Sequence, residues 1–121
     1  MKLEGVRVLD LSMFLPGPHL TMMMADHGAD VIKVEAPSGD PPRELGYRAA
    51  DGVSVWFRNT NRGKRSVVLD LKTEAGQAAI RGLIETADVF VEAFRPGVVD
   101  RLGIGPEAAR AINPRLVYVS I

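Results

Sequence analysis

The sequence contains no cysteine and only two histidines, and these absences exclude several kinds of site. Without a thiol there are no disulfides, no thiolate metal sites and no cysteine nucleophile. Two histidines by themselves make a poor transition-metal site. We therefore expect the protein to work without a bound metal ion.

The sequence also lacks an excess of charge of either sign and a long hydrophobic run. Fifteen basic residues balance fifteen acidic ones, so no overall field favours nucleic acid or an anionic membrane. The apolar stretches fall short of the roughly 20 residues that a membrane helix needs, and no signal-peptide pattern opens the chain. We predict a cytoplasmic protein with neither a nucleic-acid nor a membrane partner. Any anionic ligand would be held by a local cluster of cations.

Apolar residues occur in short β-branched runs that alternate with helical patterns. The runs predict strands at residues 6–11, 31–35, 66–71, 88–92 and 116–121, and helices at residues 19–27, 73–87, 98–102 and 106–112. Pro16-Gly17-Pro18 is expected to break the backbone before the first helix. Residues 36–52 are expected to form a long loop, and residues 53–57 a short strand or a helical turn.

This alternation of strands and helices also predicts the fold class. Near-continuous apolar strands in βαβα order favour an α/β fold, with a mostly parallel sheet and helices on both faces. The 121 residues fit one domain. Ile121 lies at the carboxyl end of the last predicted strand, at the edge where ligands gather in open sheets. We therefore expect a sheet that is truncated on its C-terminal side.

The turn after the first strand is the first candidate site. This turn, and Glu35 at the end of the second strand, occupy the positions that bind dinucleotides in a Rossmann unit. The turn reads Phe14-Leu15-Pro16-Gly17-Pro18, which lacks the three-glycine spacing of such a site. We therefore predict that Glu35 pairs with a nearby cation and does not bind a ribose.

Lys64 and Arg65 form a second candidate site, within the segment Asn61-Arg62-Gly63-Lys64-Arg65-Ser66. The segment lacks the glycine and hydroxyl positions of a nucleotide-triphosphate loop. Its cations could still hold an isolated phosphate through charge-assisted hydrogen bonds. The alternative is a solvated, charged turn before a strand.

Phe94, Arg95 and Arg101 form a third candidate site, just after the predicted strand at residues 88–92. Phe94 offers an aromatic face, and the two guanidinium groups can bind phosphate bidentately. A molecule with an adenine ring and several phosphates would suit this combination. The alternative is a strand-to-helix turn with Phe94 in the core.

The chain resembles the family III CoA-transferases, also called the CaiB/BaiF family, along essentially its whole length. The resemblance rests on segments that occur together and in order in that family. These segments are Leu3-Glu4-Gly5-Val6-Arg7-Val8-Leu9-Asp10-Leu11, Pro16-Gly17-Pro18, residues 25–35, Gly39-Asp40 with Arg43, residues 61–72, Ala87-Asp88-Val89, Phe94-Arg95-Pro96-Gly97 with Leu102-Gly103, and residues 113–118.

The resemblance implies that residues 1–121 are the N-terminal part of a large, Rossmann-like, CoA-binding domain, without the catalytic segment and a small domain. Enzymes of the family move coenzyme A between carboxylic acids through an aspartyl-CoA thioester. The nucleophilic Asp of the family lies beyond Ile121, so no catalytic residue is assigned and this fragment alone is expected to be inactive. The implied substrates are an acyl-CoA and a carboxylic acid, with no separate cofactor, and the full-length protein is expected to be a homodimer.

The resemblance also implies residues that contact coenzyme A. They are Phe14, Leu15, Lys64, Arg65, Leu69, Phe94, Arg95 and Arg101. Leu15 and Ala93 replace polar residues of some relatives, which argues against close kinship with formyl-CoA:oxalate transferases. Two alternatives remain at this point: an α-methylacyl-CoA racemase, whose catalytic His and Asp would also lie beyond Ile121, and a CoA-binding module without catalysis.

Overall fold

A computed structural model describes residues 1–121 and contains one sheet of five parallel strands. The strands are β1 (Arg7–Asp10), β2 (Asp30–Glu35), β3 (Arg65–Val68), β4 (Val89–Glu92) and β5 (Val117–Ser120). The helices are α1 (Pro16–Asp26), α2 (Val55–Asn61), α3 (Glu74–Glu85), α4 (Val98–Arg101) and α5 (Pro106–Ile112), with a short 3₁₀ helix at Pro41–Glu44. None of these helices has the length and apolar character needed to cross a bilayer.

The strands lie in the order β3-β2-β1-β4-β5. This is the order of a doubly wound sheet, in which the chain moves outward from β1 in one direction and then from β4 in the other. The predicted α/β fold with a parallel sheet is therefore confirmed. The two directions separate between β1 and β4, and ligands of such sheets bind outside the carboxyl ends of the strands at that point.

Helices cover both faces of the sheet, as predicted. On one face, Leu9 and Phe90 pack against Ile80 and Ile84 of α3 in the larger apolar cluster. On the other face, Val8, Val31 and Val91 form a smaller cluster, against which residues of α1 pack. The central strands are buried on both sides, which is why they read as continuous apolar runs.

The predicted start of the first helix is wrong. The first helix begins at Pro16 and not at residue 19, because a proline in the first turn lacks only an N–H that would have no helical partner. Of the two alternatives predicted for residues 53–57, the helical turn is confirmed and the strand is not. Ser54 caps α2 by accepting a hydrogen bond from the Phe57 backbone N–H at 3.4 Å, which sets the start of that helix at Val55.

Candidate functional site

A groove follows the carboxyl ends of β1, β2, β3 and β4. It contains a cavity of about 230 Å³ and a neighbouring one of about 130 Å³, which share Leu11, Val34 and Phe94. The smaller cavity extends over the β1–α1 turn to Met13, and the larger one reaches the turn after β3. The groove therefore occupies the position where this sheet order places its ligands.

The larger cavity is mainly apolar and brings together two of the predicted site residues. Leu69 enters from the end of β3 and Phe94 from the end of β4. The Phe94 backbone N–H donates to Glu92 Oε2 at 2.8 Å, and the half-buried ring packs against the core, so its orientation is fixed. The complete lining is Leu11, Val34, Glu35, Ala36, Leu69, Asp70, Leu71, Lys72, Phe94, Val98 and Leu102. A planar apolar group fits this composition.

Next to the apolar cavity lies an open, polar one of about 430 Å³. Lys72, Arg81 and Arg101 line it together with Gln77. The two cavities share Leu71, Lys72 and Leu102. None of these three cations takes part in an ion pair of the structure. Unpaired cations that converge on one hollow favour an anion such as a phosphate ester.

Sequence reasoning identified Arg101 but missed Lys72 and Arg81. Lys72 closes one of the segments that carry the family resemblance, so the sequence contained a signal for it. Arg81 lies on α3, and only the contact of that helix with the end of α4, made by Gln77 and Leu102, brings its side chain to the same cavity as Arg101. No sequence motif marks that proximity.

The structure does not bring Lys64 or Arg65 to this groove. Lys64 is buried, and its Nζ donates to Asp10 Oδ2 at 2.9 Å, to the Pro18 carbonyl at 2.9 Å and to Asn61 Oδ1 at 2.8 Å. Arg65 is exposed at the amino end of β3, where it pairs with Asp30. Both cations therefore already have partners, and the positive charge next to the groove comes from other residues.

Three further predicted residues lie near the same edge without lining the cavities. Phe14 and Leu15 are exposed in the β1–α1 turn, at 45% and 49% of their full accessible area. Arg95 is exposed directly after Phe94, and its side chain makes no hydrogen bond within the chain. Contact of these residues with a ligand remains a prediction.

Buried ion pairs hold the β1–α1 turn in place. Lys33 Nζ lies 2.9 Å from Asp40 Oδ2 and donates to the Ser12 carbonyl at 3.0 Å, although Lys33 is almost fully buried. Asp10 has no solvent exposure. Burial alone would raise the pKa of Asp10, but Lys64, Lys33 and two hydroxyl donors together lower it. The turn that lines the smaller cavity is therefore anchored by charges inside the protein.

Glu35 is committed to a cation, as predicted. Arg43 donates to its two carboxylate oxygens at 2.8 and 2.7 Å, and the Asp40 N–H and the Ser66 hydroxyl donate as well. Burial would raise the pKa of Glu35, but these donors outweigh it and lower the pKa to about 2. The carboxylate is thus saturated, and it is not free to accept hydrogen bonds from a ribose.

The lowered pKa of Glu35 makes the free energy of unfolding depend on pH. The folded-state pKa of Glu35, about 2, lies below the ordinary value of 4.5, so the unfolded chain binds the proton more readily. We expect the contribution of Glu35, roughly 3 kcal/mol, to be complete above about pH 5 and lost as the pH falls toward 2. Glu35→Gln should therefore reduce the difference in unfolding free energy between those pH values.

Urea titrations followed by the fluorescence of Trp56, the one tryptophan, measure this difference. Glu107→Gln is the control, because Glu107 is exposed on α5 and makes no ion pair. An acid dependence that is unchanged in Glu35→Gln would contradict the assignment.

Comparisons with known proteins relate the whole of this chain to one family. Residues 3–121 match the family model described as CoA-transferase family III. The succinyl-CoA–D-citramalate CoA-transferase of Chloroflexus aurantiacus is 42% identical over 98% of this chain. The formyl-CoA:oxalate CoA-transferase of Streptomyces avermitilis is 47% identical over 98% of the chain. A crystal structure of a CaiB/BaiF family protein from Brucella suis matches with a TM-score of 0.91 and 41% identity over 97% of the chain.

The chain spans only part of these proteins: 30% of the Chloroflexus relative, 29% of the Streptomyces relative and 32% of the Brucella structure. The 47% identity to a formyl-CoA:oxalate transferase is higher than the 42% identity to the citramalate enzyme. The expectation that Leu15 and Ala93 separate the chain from that group is therefore wrong.

Proposed function

The chain belongs to CoA-transferase family III, and on this basis we propose that it forms the coenzyme-A-binding part of an enzyme that moves coenzyme A between carboxylic acids. The Chloroflexus and Streptomyces relatives support this proposal, because each is a transferase named for two acids or their CoA esters. An acyl-CoA and a carboxylic acid are then the substrates of the complete protein.

One observation carries the proposal: an apolar cavity with an aromatic wall adjoins a hollow lined by unpaired cations. We assign the adenine ring of coenzyme A to the apolar cavity, against Phe94 and Leu69. Stacking of a base on an aromatic side chain contributes about 1–3 kcal/mol. The phosphates then extend into the hollow, where Lys72 and Arg101 donate to them.

Loss of either cation should weaken the binding of coenzyme A. We expect Arg101→Met and Lys72→Met each to raise the Kd of the complete protein for coenzyme A by about tenfold, because each removes a charge-assisted hydrogen bond. Calorimetric titration with coenzyme A measures the change. Arg95→Met should have a smaller effect, since Arg95 lines neither cavity.

Arg115→Met is the matched control for these variants. Arg115 is an exposed cation without an ion pair, and it precedes β5 at the opposite edge of the sheet. If Arg115→Met and Arg101→Met weakened coenzyme A binding equally, the effect would come from the net charge of the protein, and the hollow would not be part of the binding site. Tighter binding of NAD than of coenzyme A would favour a dinucleotide-linked enzyme instead.

We place the nucleophilic Asp of the aspartyl-CoA mechanism outside residues 1–121. Within them, Asp10 and Asp40 are buried in ion pairs, and Asp26, Asp30 and Asp51 pair with arginines. A carboxylate held by a fixed cation is a poor candidate for attack on a thioester, because its charge is already neutralised. The other aspartates, Asp70, Asp88 and Asp100, make no ion pair and are set aside because the family resemblance places the nucleophile beyond Ile121.

The complete protein should therefore exchange coenzyme A between acids, whereas the 121-residue chain should show no turnover. Transfer of label from a thioester to a free acid, followed by chromatography, tests both statements. Exchange of the proton next to the thioester carbonyl, without transfer, would indicate a racemase. Binding of coenzyme A without either reaction would indicate a non-catalytic module. We further propose that the complete enzyme is a cytoplasmic homodimer. Light scattering measures the mass of the particle in solution and therefore tests whether it is a dimer.

A further inference from the structure

Gln77 on α3 connects the two walls of the cationic hollow. Its Nε2 group donates to the Leu71 carbonyl and to the Leu102 carbonyl, each at 2.6 Å. Leu71 belongs to the turn between β3 and α3, and Leu102 ends α4. One side-chain amide therefore binds two segments that approach each other only in the folded chain.

No other hydrogen bond of the structure joins residues 69–72 to residues 94–103. The amide can serve in one orientation only, because its oxygen would be repelled by two carbonyl oxygens. Gln77 Oε1 accordingly points away from them and is buried without a partner. Residues of both walls pack against the apolar core, and Gln77 is the one side chain that links the walls through hydrogen bonds.

The residues next to the two carbonyls are the cations of the hollow. Lys72 follows Leu71, and Arg101 precedes Leu102. A ligand that needs both cations binds more tightly when their separation is set in advance, since it does not have to order the segments itself.

We propose that Gln77 is a positioning residue for the phosphates of coenzyme A, which acts by holding Lys72 and Arg101 at a fixed distance across the hollow. The proposal rests on the function proposed above. It adds a residue whose two amide donors are both used within the chain, and which acts through Lys72 and Arg101.

The chain contains a matched control for the loss of such an amide. Asn113 Nδ2 also donates to two carbonyl oxygens, those of Ile84 at 3.0 Å and Ala87 at 2.7 Å. These carbonyls lie at the end of α3 and before β4, at the amino edge of the sheet and away from the groove. Gln77→Met and Asn113→Leu each remove two comparable hydrogen bonds and keep the approximate size of the side chain.

The test is calorimetric titration of the complete protein with coenzyme A. We expect Gln77→Met to raise the Kd by about tenfold, because coenzyme A must then order the two segments itself on binding. Asn113→Leu should change the Kd less than about twofold, even if both variants lower the unfolding temperature by a similar amount. In a Lys72→Met/Arg101→Met background, Gln77→Met should raise the Kd further by less than about twofold, because the cations that Gln77 positions are absent.

Three results would overturn the proposal. They are an unchanged Kd in Gln77→Met, an equal rise of the Kd in Asn113→Leu, or a full tenfold rise of the Kd when Gln77→Met is made in the Lys72→Met/Arg101→Met background. Wild-type protein that does not bind coenzyme A would overturn the proposed function, and this inference with it. Wild-type protein that binds, together with an unaffected Gln77→Met, would overturn the inference alone. If Gln77→Met does not fold, Gln77→Ala removes the same donors with the best helix propensity and decides the question.

Discussion

Gly76→Ala is expected to destabilise the protein by about 3 kcal/mol or more, although alanine is the better helix former. A Cβ atom at position 76 would lie 1.9 Å from the Asp70 carbonyl oxygen and 2.6 Å from the Asp70 carbonyl carbon. Those are backbone atoms, and the same oxygen accepts hydrogen bonds from the Thr73 backbone and hydroxyl. The turn must therefore move to make room, and it loses these bonds as it does.

Gly82→Ala provides the matched control in the same helix. A Cβ atom at position 82 would meet nothing within 4 Å, so the helix gains from the substitution. We expect stabilisation of about 0.5–1 kcal/mol, the usual advantage of alanine over glycine in a helix interior. Urea denaturation followed by Trp56 fluorescence measures both variants. Equal effects of the same sign would show that the close approach of α3 to the Asp70 turn is not as described.

The result bears on the groove, because the displaced turn carries Asp70, Leu71 and Lys72. A shift of this turn moves one wall of the apolar cavity and one cation of the hollow. In the complete protein, Gly76→Ala should therefore weaken coenzyme A binding as well as stability, and Gly82→Ala should leave binding unchanged.

Lys64→Met is expected to destabilise the protein by about 3–5 kcal/mol, since it leaves the buried Asp10 carboxylate without its closest cation. Both side chains are almost fully buried, and their charged atoms lie 2.9 Å apart. The substitution also removes one donor to the Pro18 carbonyl and leaves Asn61 Oδ1 without a donor. The penalty is that of an uncompensated charge and is larger than the net stabilisation by the intact pair.

Arg62→Met is the control for this prediction. Arg62 pairs with Asp26, but both side chains are about half exposed, and exposed pairs contribute only about 0–1 kcal/mol. Urea denaturation of both variants compares the buried and the exposed pair directly. If Lys64→Met were no more harmful than Arg62→Met, Lys64 would be free to serve the ligand, as its sequence context first suggested.

The fold could be predicted from the sequence because local patterns determine it. Apolar β-branched runs are typical of strands buried on both faces. Their alternation with helices favours a parallel sheet that is covered by those helices. The start of α1 could not be predicted in the same way, since Pro16 and Pro18 are typical both of a broken backbone and of a helical first turn.

The site could be predicted only in part, because charge in a sequence does not reveal which charges are already paired. Phe94, Leu69 and Arg101 lie in the groove as expected. Lys64 looked equally suitable, but its long side chain reaches back under α1 to Asp10, 54 residues earlier in the chain. Arg81 carries no motif and enters the site through helix packing alone.

Hydrogen exchange of the complete protein, with and without saturating coenzyme A, tests most directly whether this groove holds the coenzyme. Binding as proposed would slow amide exchange in residues 69–72 and 94–103, which carry the two walls, and would leave residues 106–115 unchanged. Coenzyme A that binds without protecting either wall would contradict the assignment, because the adenine and the phosphates would then lie elsewhere.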